Sequence, residues 1–310
     1  MMERTHDVVI IGGGPAALAA GVYAGRAELK TLILERQWLG GQIALTDAVD
    51  NYPGFPDGID GQAITERMAA QARKFNCEIK TEAGQRVELD GTLRIVTTNK
   101  AAYAAPVVIL AMGADPRKLG VPGEDELRGA GVSYCATCDG AFFKDRKVVV
   151  VGGGDSAFKE GLFLTRFASE VLLIHRRQGF RAERIYISKA EANAKVGFLL
   201  DSVIERINGT GKVESVTVRN VKTDETRDVP TDGVFIFIGN EPNTGFLENL
   251  FPERAGRQLP TDGAMQTAVP GIYAIGDVRQ DSYMQVATAV GEGATAAIAA
   301  EEYISSLNVE

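Results

Sequence analysis

Histidine and cysteine are scarce in this chain: His6 and His175, and Cys77, Cys135 and Cys138, among 310 residues. A tetrahedral zinc site would need Cys135, Cys138 and two further ligands. No second pair stands at zinc spacing, so no metal is expected. Excess positive charge is missing too. With 41 Asp and Glu against 33 Lys and Arg, the net charge is -8, which argues against sequence-independent nucleic-acid binding. No apolar run approaches the roughly 18 residues that cross a bilayer, so no membrane association is expected. The opening Met1-Met2-Glu3-Arg4-Thr5-His6-Asp7 runs straight into an apolar strand and lacks the pattern of a secretory signal. A cytoplasmic protein is expected, and there a close cysteine pair is more often catalytic or metal-binding than structural. Cys77, alone on an apparent helix, reads as a buried apolar filler.

What is plentiful is glycine, 35 of 310 residues, or about 11% against a usual ~7%. That excess suits a backbone that turns tightly against phosphates. The length suggests about two domains of roughly 150 residues each, and the glycines fall into two matching sets. The first follows the apolar run Asp7-Val8-Val9-Ile10-Ile11, read as a buried parallel strand. Gly12, Gly14 and Ala17 then fit G-x-G-x-x-A, with Pro15 and Ala16 at the start of a helix expected over 16–28. The glycines permit the turn and a close phosphate approach, and the small Ala17 lets helix and strand pack closely. The helix N-terminus would face a pyrophosphate. Thr31-Leu32-Ile33-Leu34 is the next strand, and Glu35 at its end can accept hydrogen bonds from a ribose diol.

The second set repeats the first 140 residues later. Val148-Val149-Val150-Val151 is the strand, and Gly152, Gly154 and Ala157 restore the fingerprint. Gly21 recurs as Gly161 and Arg26 as Arg166. The end of the closing strand differs: Glu35 maps onto His175, and Arg176-Arg177 follow. A carboxylate favours free hydroxyls and repels phosphate, whereas two guanidiniums can fork onto a phosphate. The first site is therefore expected to hold a dinucleotide with an unmodified ribose, and the second NADPH. Arg181 can close the phosphate site from the next loop.

Each half also ends alike. Val107-Val108-Ile109-Leu110-Ala111-Met112-Gly113 leads to Ala114-Asp115-Pro116, and Val234-Phe235-Ile236-Phe237-Ile238-Gly239 leads to Asn240-Glu241-Pro242. The tail adds one strand-turn, Gly271-Ile272-Tyr273-Ala274-Ile275-Gly276-Asp277, and an Ala-rich helix over about 285–305, with no third fingerprint. The expected fold is α/β with two Rossmann-like, three-layer nucleotide-binding domains. Residues 1–115 and 241–310 form the first, and 116–240 an inserted second. Between the fingerprints lies Ser133-Tyr134-Cys135-Ala136-Thr137-Cys138-Asp139-Gly140. Two thiols at this spacing are a redox pair, half a metal site or a coincidence. A dithiol beside two nucleotide sites suggests electrons passing between dinucleotides and then to sulfur.

On these motifs, with Gly40-Gly41-Gln42 and Asn51-Tyr52-Pro53-Gly54-Phe55, the whole chain resembles the low-molecular-weight, bacterial-type thioredoxin reductases of the class II pyridine nucleotide-disulfide oxidoreductases. The resemblance implies FAD in the first domain and NADPH in the second. It implies that Gly12, Gly14, Pro15, Ala16 and Glu35 hold the adenosine diphosphate half of FAD. Gly41, Gln42, Thr46 and Asn51 would line the flavin, with Gly113 and Gly276 nearby and Asp277 on the ribityl chain. Gln285, Val286 and Ala287 would open the last helix near the ring, where about half a positive charge at a helix N-terminus can stabilise reduced flavin. Gly153, Gly154, Asp155, Ser156, His175, Arg176, Arg177, Arg181 and Gly239 would serve NADPH.

The implied chemistry is hydride transfer from NADPH to FAD, opening of a Cys135–Cys138 disulfide, and reduction of thioredoxin through a mixed disulfide. By resemblance Cys138 faces the flavin, Cys135 attacks the partner and Asp139 is the general acid. Family members rotate the NADPH domain between half-reactions, which would place hinges at Ala114–Arg117 and Gly239–Asn243, and they form homodimers. Phe142-Phe143 reads as a docking patch or as core. Lys159-Glu160 and Met284 depart from the usual pattern, the first where an acidic pair often stands and the second where an Arg often does. Two other readings are a related flavin disulfide reductase acting on a glutaredoxin-like protein or peroxidase subunit, and a non-enzymatic flavin- or metal-binding module.

Overall fold

A computed structural model describes residues 2–45, 49, 51–254 and 256–307. The chain divides into two compact units, 1–115 with 241–310, and 116–240.

The first unit is built on a five-stranded parallel sheet. Its spatial order is Ile272–Ala274, Val107–Leu110, Val8–Ile11, Thr31–Glu35 and Glu78–Thr81. The central strand is apolar on both faces, because both faces are covered. Val8 and Ile10 join one core cluster with the helices, including Ala17, Leu18 and Ala297. Val9 and Ile11 join a second cluster with Val87, Val96 and Tyr103 of a three-stranded antiparallel sheet, Gly84–Asp90, Leu93–Thr98 and Ala102–Ala105. This period-two division makes three layers. Val8, Val9 and Ile10 are fully buried, each contributing roughly 1.5–3 kcal/mol relative to exposure. The helix Pro15–Arg26 crosses the C-terminal helix Val286–Leu307 at Gly293, where a Cβ would collide with the Ala16 carbonyl oxygen.

The second unit repeats the plan. Its parallel sheet runs Val196–Leu199, Glu170–Ile174, Lys147–Val151, Gly233–Ile236 and Val132–Ser133. Val148 and Val150 pack with the helices Asp155–Leu164 and Arg184–Glu191, and Val149 and Val151 pack with an antiparallel sheet containing Ile204, Val216 and Val218. The segments linking the units, Ala114–Pro116 and Asn240–Pro242, form a two-stranded ribbon.

Element ends differ from the sequence reading by a few residues. The first fingerprint helix stops at Arg26, and the two closing strands stop at Leu110 and Ile236 rather than at the following glycines. Gly113 (φ +67°) and Gly239 (φ +113°) bend the chain out of the sheet there. Cys77 is not on a helix. It lies between the helix Gly61–Lys74 and the strand Glu78–Thr81, buried against Gly21, and burial pushes its thiol up to about 12. It is an inert apolar filler.

Candidate functional site

Three turns carry the candidate residues, a glycine turn in the first unit and a glycine turn and a cysteine turn in the second. In the first unit, Gly12 follows the central strand at φ +112°, and a Cβ there would collide with the Ala111 carbonyl oxygen. Gly14 is the N-cap of the helix that begins at Pro15 and makes no side-chain capping bond. A Cβ at Gly14 would meet nothing within 4 Å. Uncapped amides under open space form a cradle for an anion such as a pyrophosphate. Ala16 is buried, so only its backbone serves this turn. The Glu35 carboxylate lies over the turn: a Cβ at Gly13 would come within 2.9 Å of its Oε2. Its Oε1 accepts the Gln37 N–H at 3.0 Å.

Around this cradle, Gly41 (φ +60°) passes close to Gly14, with an ideal Cβ 3.4 Å from the Gly14 Cα. Gln42 donates from Nε2 to Asp115 Oδ1 at 2.7 Å. Asn51 donates from Nδ2 to Gln285 Oε1 at 3.1 Å, joining two segments far apart in sequence. Gln285 directly precedes the C-terminal helix, whose first turn carries Val286, half-buried, and Ala287, exposed. Gly113 is open to a ligand's approach, whereas Gly276 (φ +70°) turns against Ala16. Thr46 lies outside the described residues.

Sequence reasoning missed Glu292. It is buried on the C-terminal helix, where its Oε2 accepts the Gly276 N–H at 2.6 Å and its Oε1 accepts from Arg279 at 2.6 Å. It holds the Gly276–Asp277 turn in place. An acid between Gly291 and Gly293, in a helix otherwise rich in alanine, was the available signal. Burial, and then the Glu292 charge, push the Asp277 carboxyl up to about 6 against an opposing hydrogen bond from Ser282. The folded chain therefore holds this proton more tightly than the unfolded one, and stability falls as pH rises from about 4 to about 6. Asp277→Asn is expected to stabilise the flavin-free protein at pH 7.5, by at most about 3 kcal/mol, and to leave it unchanged at pH 4. Thermal melts at the two pH values check this.

In the second unit, Gly152 (φ +152°) makes the same turn, with a Cβ there colliding with the Phe237 carbonyl oxygen. Gly154 is an uncapped N-cap with nothing within 4 Å of a Cβ. Asp155, at the start of the helix, accepts the Glu183 N–H at 2.7 Å, and Ser156 follows it in the first turn. The His175 ring lies directly over Gly153, so no side chain fits there. The Arg181 N–H donates to the Gly153 carbonyl at 2.8 Å. Arg176, Arg177 and Arg181 are exposed, and none makes an ion pair among the described residues. Burial lowers the His175 pKa, and the three guanidiniums lower it further against a bond to the Gly179 carbonyl. Their shared effect on one ring reports a local positive field, the opposite of the Glu35 end of the first turn. Gly239 stands at the exit of the same sheet, its carbonyl accepting the Arg117 N–H at 2.9 Å.

Cys135 and Cys138 form a disulfide, with Cα atoms 5.3 Å apart. Cys135 is the N-cap of the short helix Ala136–Asp139, and its Sγ accepts the Cys138 N–H at 3.2 Å. Ser133 organises the approach: its hydroxyl accepts the Cys135 N–H at 3.0 Å and donates to Asp139 Oδ2 at 2.5 Å. Burial raises the pKa of Glu160, on the fingerprint helix Asp155–Leu164, and the backbone of Ala136 and Thr137 opposes that rise. Phe143 is core, 9% exposed and edge-on to Phe235, and Phe142 alone is presented to solvent, at 54%. A Phe142-Phe143 patch therefore does not exist as a pair. The single-residue alternation follows from the 3₁₀ turn Gly140–Phe143. Among the described residues, no group of three or more His, Cys, Asp or Glu is placed to hold a metal ion, and no helix is long and apolar enough to cross a membrane.

Two dinucleotide turns of opposite charge preference and a disulfide beside one of them define an oxidoreductase that couples a nicotinamide to sulfur. The chain belongs to the pyridine nucleotide-disulphide oxidoreductase family, whose model matches residues 6–293. Among its relatives, the thioredoxin reductase of Bacillus subtilis (strain 168) is 46% identical over 307 residues, 98% of this chain and 96% of that one. The thioredoxin reductase of Peptoclostridium acidaminophilum is 44% identical over 311 residues, 98% and 99% of the two chains. Among solved structures, the thioredoxin reductase of Streptococcus pyogenes MGAS5005 is similar with a TM-score of 0.91 at 45% identity, covering 97% of this chain and 98% of that one.

Proposed function

We propose that the chain reduces the disulfide of thioredoxin with electrons from NADPH, using bound FAD and the Cys135–Cys138 pair. The observation that carries this reading is the disulfide in the unit that also holds the arginine-rimmed glycine turn. The thioredoxin reductases to which the chain is similar support the choice of partner.

The open, uncapped turn at Gly12–Pro15 with Glu35 above it fits the pyrophosphate and ribose diol of FAD. Gly41, Gln42, Asn51 and the first turn of the C-terminal helix would flank the rest of the cofactor, and Asp277 would accept from a ribityl hydroxyl. Asp277→Asn is therefore also expected to lose FAD more readily. The turn at Gly152–Ser156 would hold the NADPH pyrophosphate, with Arg176, Arg177 and Arg181 on the 2′-phosphate. When bound, FAD supplies a two-electron relay between the nicotinamide and the disulfide.

The chain's own residues do the sulfur chemistry. Cys135 Sγ, already accepting an N–H bond, is the sulfur whose thiolate the turn stabilises, so it attacks the partner disulfide and forms a mixed disulfide. Cys138 then attacks Cys135 Sγ. The partner leaves as a dithiol, and the Cys135–Cys138 bond closes again. Asp139, held by Ser133, delivers or removes the thiol proton. Rotation of the 116–240 unit between half-reactions belongs to the same reading, with the ribbon 114–116 and 240–242 as hinge. So do a homodimer and a cytoplasmic setting.

Following NADPH oxidation against a panel of disulfide proteins tests the partner. Turnover is expected with thioredoxin. Turnover with a glutaredoxin-like protein or a peroxidase subunit, and none with thioredoxin, would replace it.

A further inference from the structure

Arg176, Arg177 and Arg181 share one short, exposed loop and make no ion pair among the described residues. Like charges on a free loop spread apart, yet a phosphate is gripped only by guanidiniums already aligned on it. Something must therefore hold the loop. Its start is bonded into the neighbouring bend: the His175 N–H donates to the Leu199 carbonyl and the Ser202 N–H donates to the His175 carbonyl, each at 3.0 Å. Its far end is held by the Phe180 ring, edge-on to Phe158 at 4.8 Å and 5.7 Å from Phe198, and by the Arg181 N–H on the Gly153 carbonyl. Between these ends, Gln178 Nε2 donates to Asp201 Oδ2.

Asp201 takes no part in the chemistry described so far. It lies in the bend between the strands Val196–Leu199 and Ser202–Asn208, and it is only 7% exposed. Its backbone is left-handed (φ +49°), a conformation in which Asp and Asn are enriched. The bend is itself anchored to the antiparallel sheet. The Val221 N–H donates to the Asp201 carbonyl at 2.7 Å, and Lys222 Nζ lies 2.7 Å from Asp201 Oδ2. Gln178 thus ties the exposed arginine loop to a buried, well-held carboxylate.

We propose that Asp201 is a positioning residue for nucleotide selectivity: through Gln178 it holds the 176–181 loop so that its guanidiniums meet a 2′-phosphate together. The proposal rests on the reading of Arg176, Arg177 and Arg181 as the 2′-phosphate site. Two effects of Asp201 on that site oppose each other. By charge alone, an acid beside it repels a phosphate, so removing the acid would tighten binding. By positioning, removing it frees the loop, and binding must then order the loop again, which weakens affinity. Lys222 offsets the Asp201 charge at 2.7 Å, so positioning outweighs repulsion. The sign of the change separates the two.

The test measures dissociation constants of adenosine 2′,5′-bisphosphate and adenosine 5′-monophosphate by calorimetry on the FAD-loaded protein. Gln178→Ala, on the exposed loop, and Asp201→Ala are each expected to weaken the bisphosphate about tenfold and to leave the monophosphate within about twofold. The double variant is expected to lose no more than about the larger single loss, because the two side chains act through one bond. Asp201→Asn keeps an acceptor oxygen for Gln178 and suits the left-handed bend, so it is expected to stay within about threefold of the parent. Gln178→Ala carries the test if Asp201→Ala does not fold. Tighter or unchanged bisphosphate binding, equal losses for both ligands, additive losses in the double variant, or an Asn variant as weak as the Ala variant would each overturn the proposal. A parent protein that binds the bisphosphate no better than the monophosphate would overturn the arginine reading and this proposal with it. A selective parent with unmoved variants would overturn this proposal alone.

Discussion

Cys138→Ser is expected to lower NADPH-driven thioredoxin reduction by at least about 1,000-fold, because no second sulfur remains to resolve the mixed disulfide or to accept the electron pair. Both cofactors should still bind, since neither glycine turn includes Cys138. Cys135→Ser is expected to be equally inactive, yet the two variants should differ in one respect. With a thioredoxin that lacks its own resolving cysteine, Cys138→Ser should accumulate a mixed disulfide through Cys135, and Cys135→Ser should not. The reason lies in the turn: Cys135 is the N-cap sulfur that accepts the Cys138 N–H. Non-reducing electrophoresis distinguishes the two. A mixed disulfide formed only by Cys135→Ser would reverse the roles.

The second large effect concerns the nicotinamide. Arg176→Ala is expected to weaken NADPH roughly 10- to 100-fold, because a charge-assisted hydrogen bond contributes roughly 1.5–3 kcal/mol. The double change with Arg177→Ala should approach the product of the two losses, about 100-fold or more, if the guanidiniums act independently. NADH, which lacks the 2′-phosphate, should bind nearly as before. Removing either positive charge should also raise the His175 pKa, because Arg176 and Arg177 both lower it. Steady-state KM values for the two nucleotides and an NMR titration of His175 check these expectations. Equal losses for NADPH and NADH would mean that the arginines merely support the fold.

Much of the architecture was legible because it is local. A strand buried on both faces must be a continuous apolar run, as Val8–Ile11 and Lys147–Val151 are, apart from the exposed Lys147. Gly12 and Gly152 are glycines because a side chain would strike a carbonyl of the adjoining sheet. The exchange of Glu35 for His175-Arg176-Arg177 stood out because two copies of one pattern can be subtracted. What was not legible depends on partners distant in sequence. Glu292 reaches the Gly276 N–H from a helix whose local pattern does not name that target. Phe142 and Phe143 are chemically identical neighbours, and the geometry of the 3₁₀ turn alone buries one and exposes the other. Cys77 was misplaced onto a helix because the helix Gly61–Lys74 ends before it, at Phe75 and the left-handed Asn76 (φ +59°), with no proline or glycine to mark the stop.

The coupling of nicotinamide to flavin and then to sulfur is tested most directly by anaerobic NADPH titration of the purified protein, counting electrons. About four electrons per chain are expected, two for the flavin and two for the Cys135–Cys138 disulfide, falling to about two in Cys138→Ser. Uptake of only two electrons by the unaltered protein, with the disulfide still intact after the flavin has bleached, would contradict the relay.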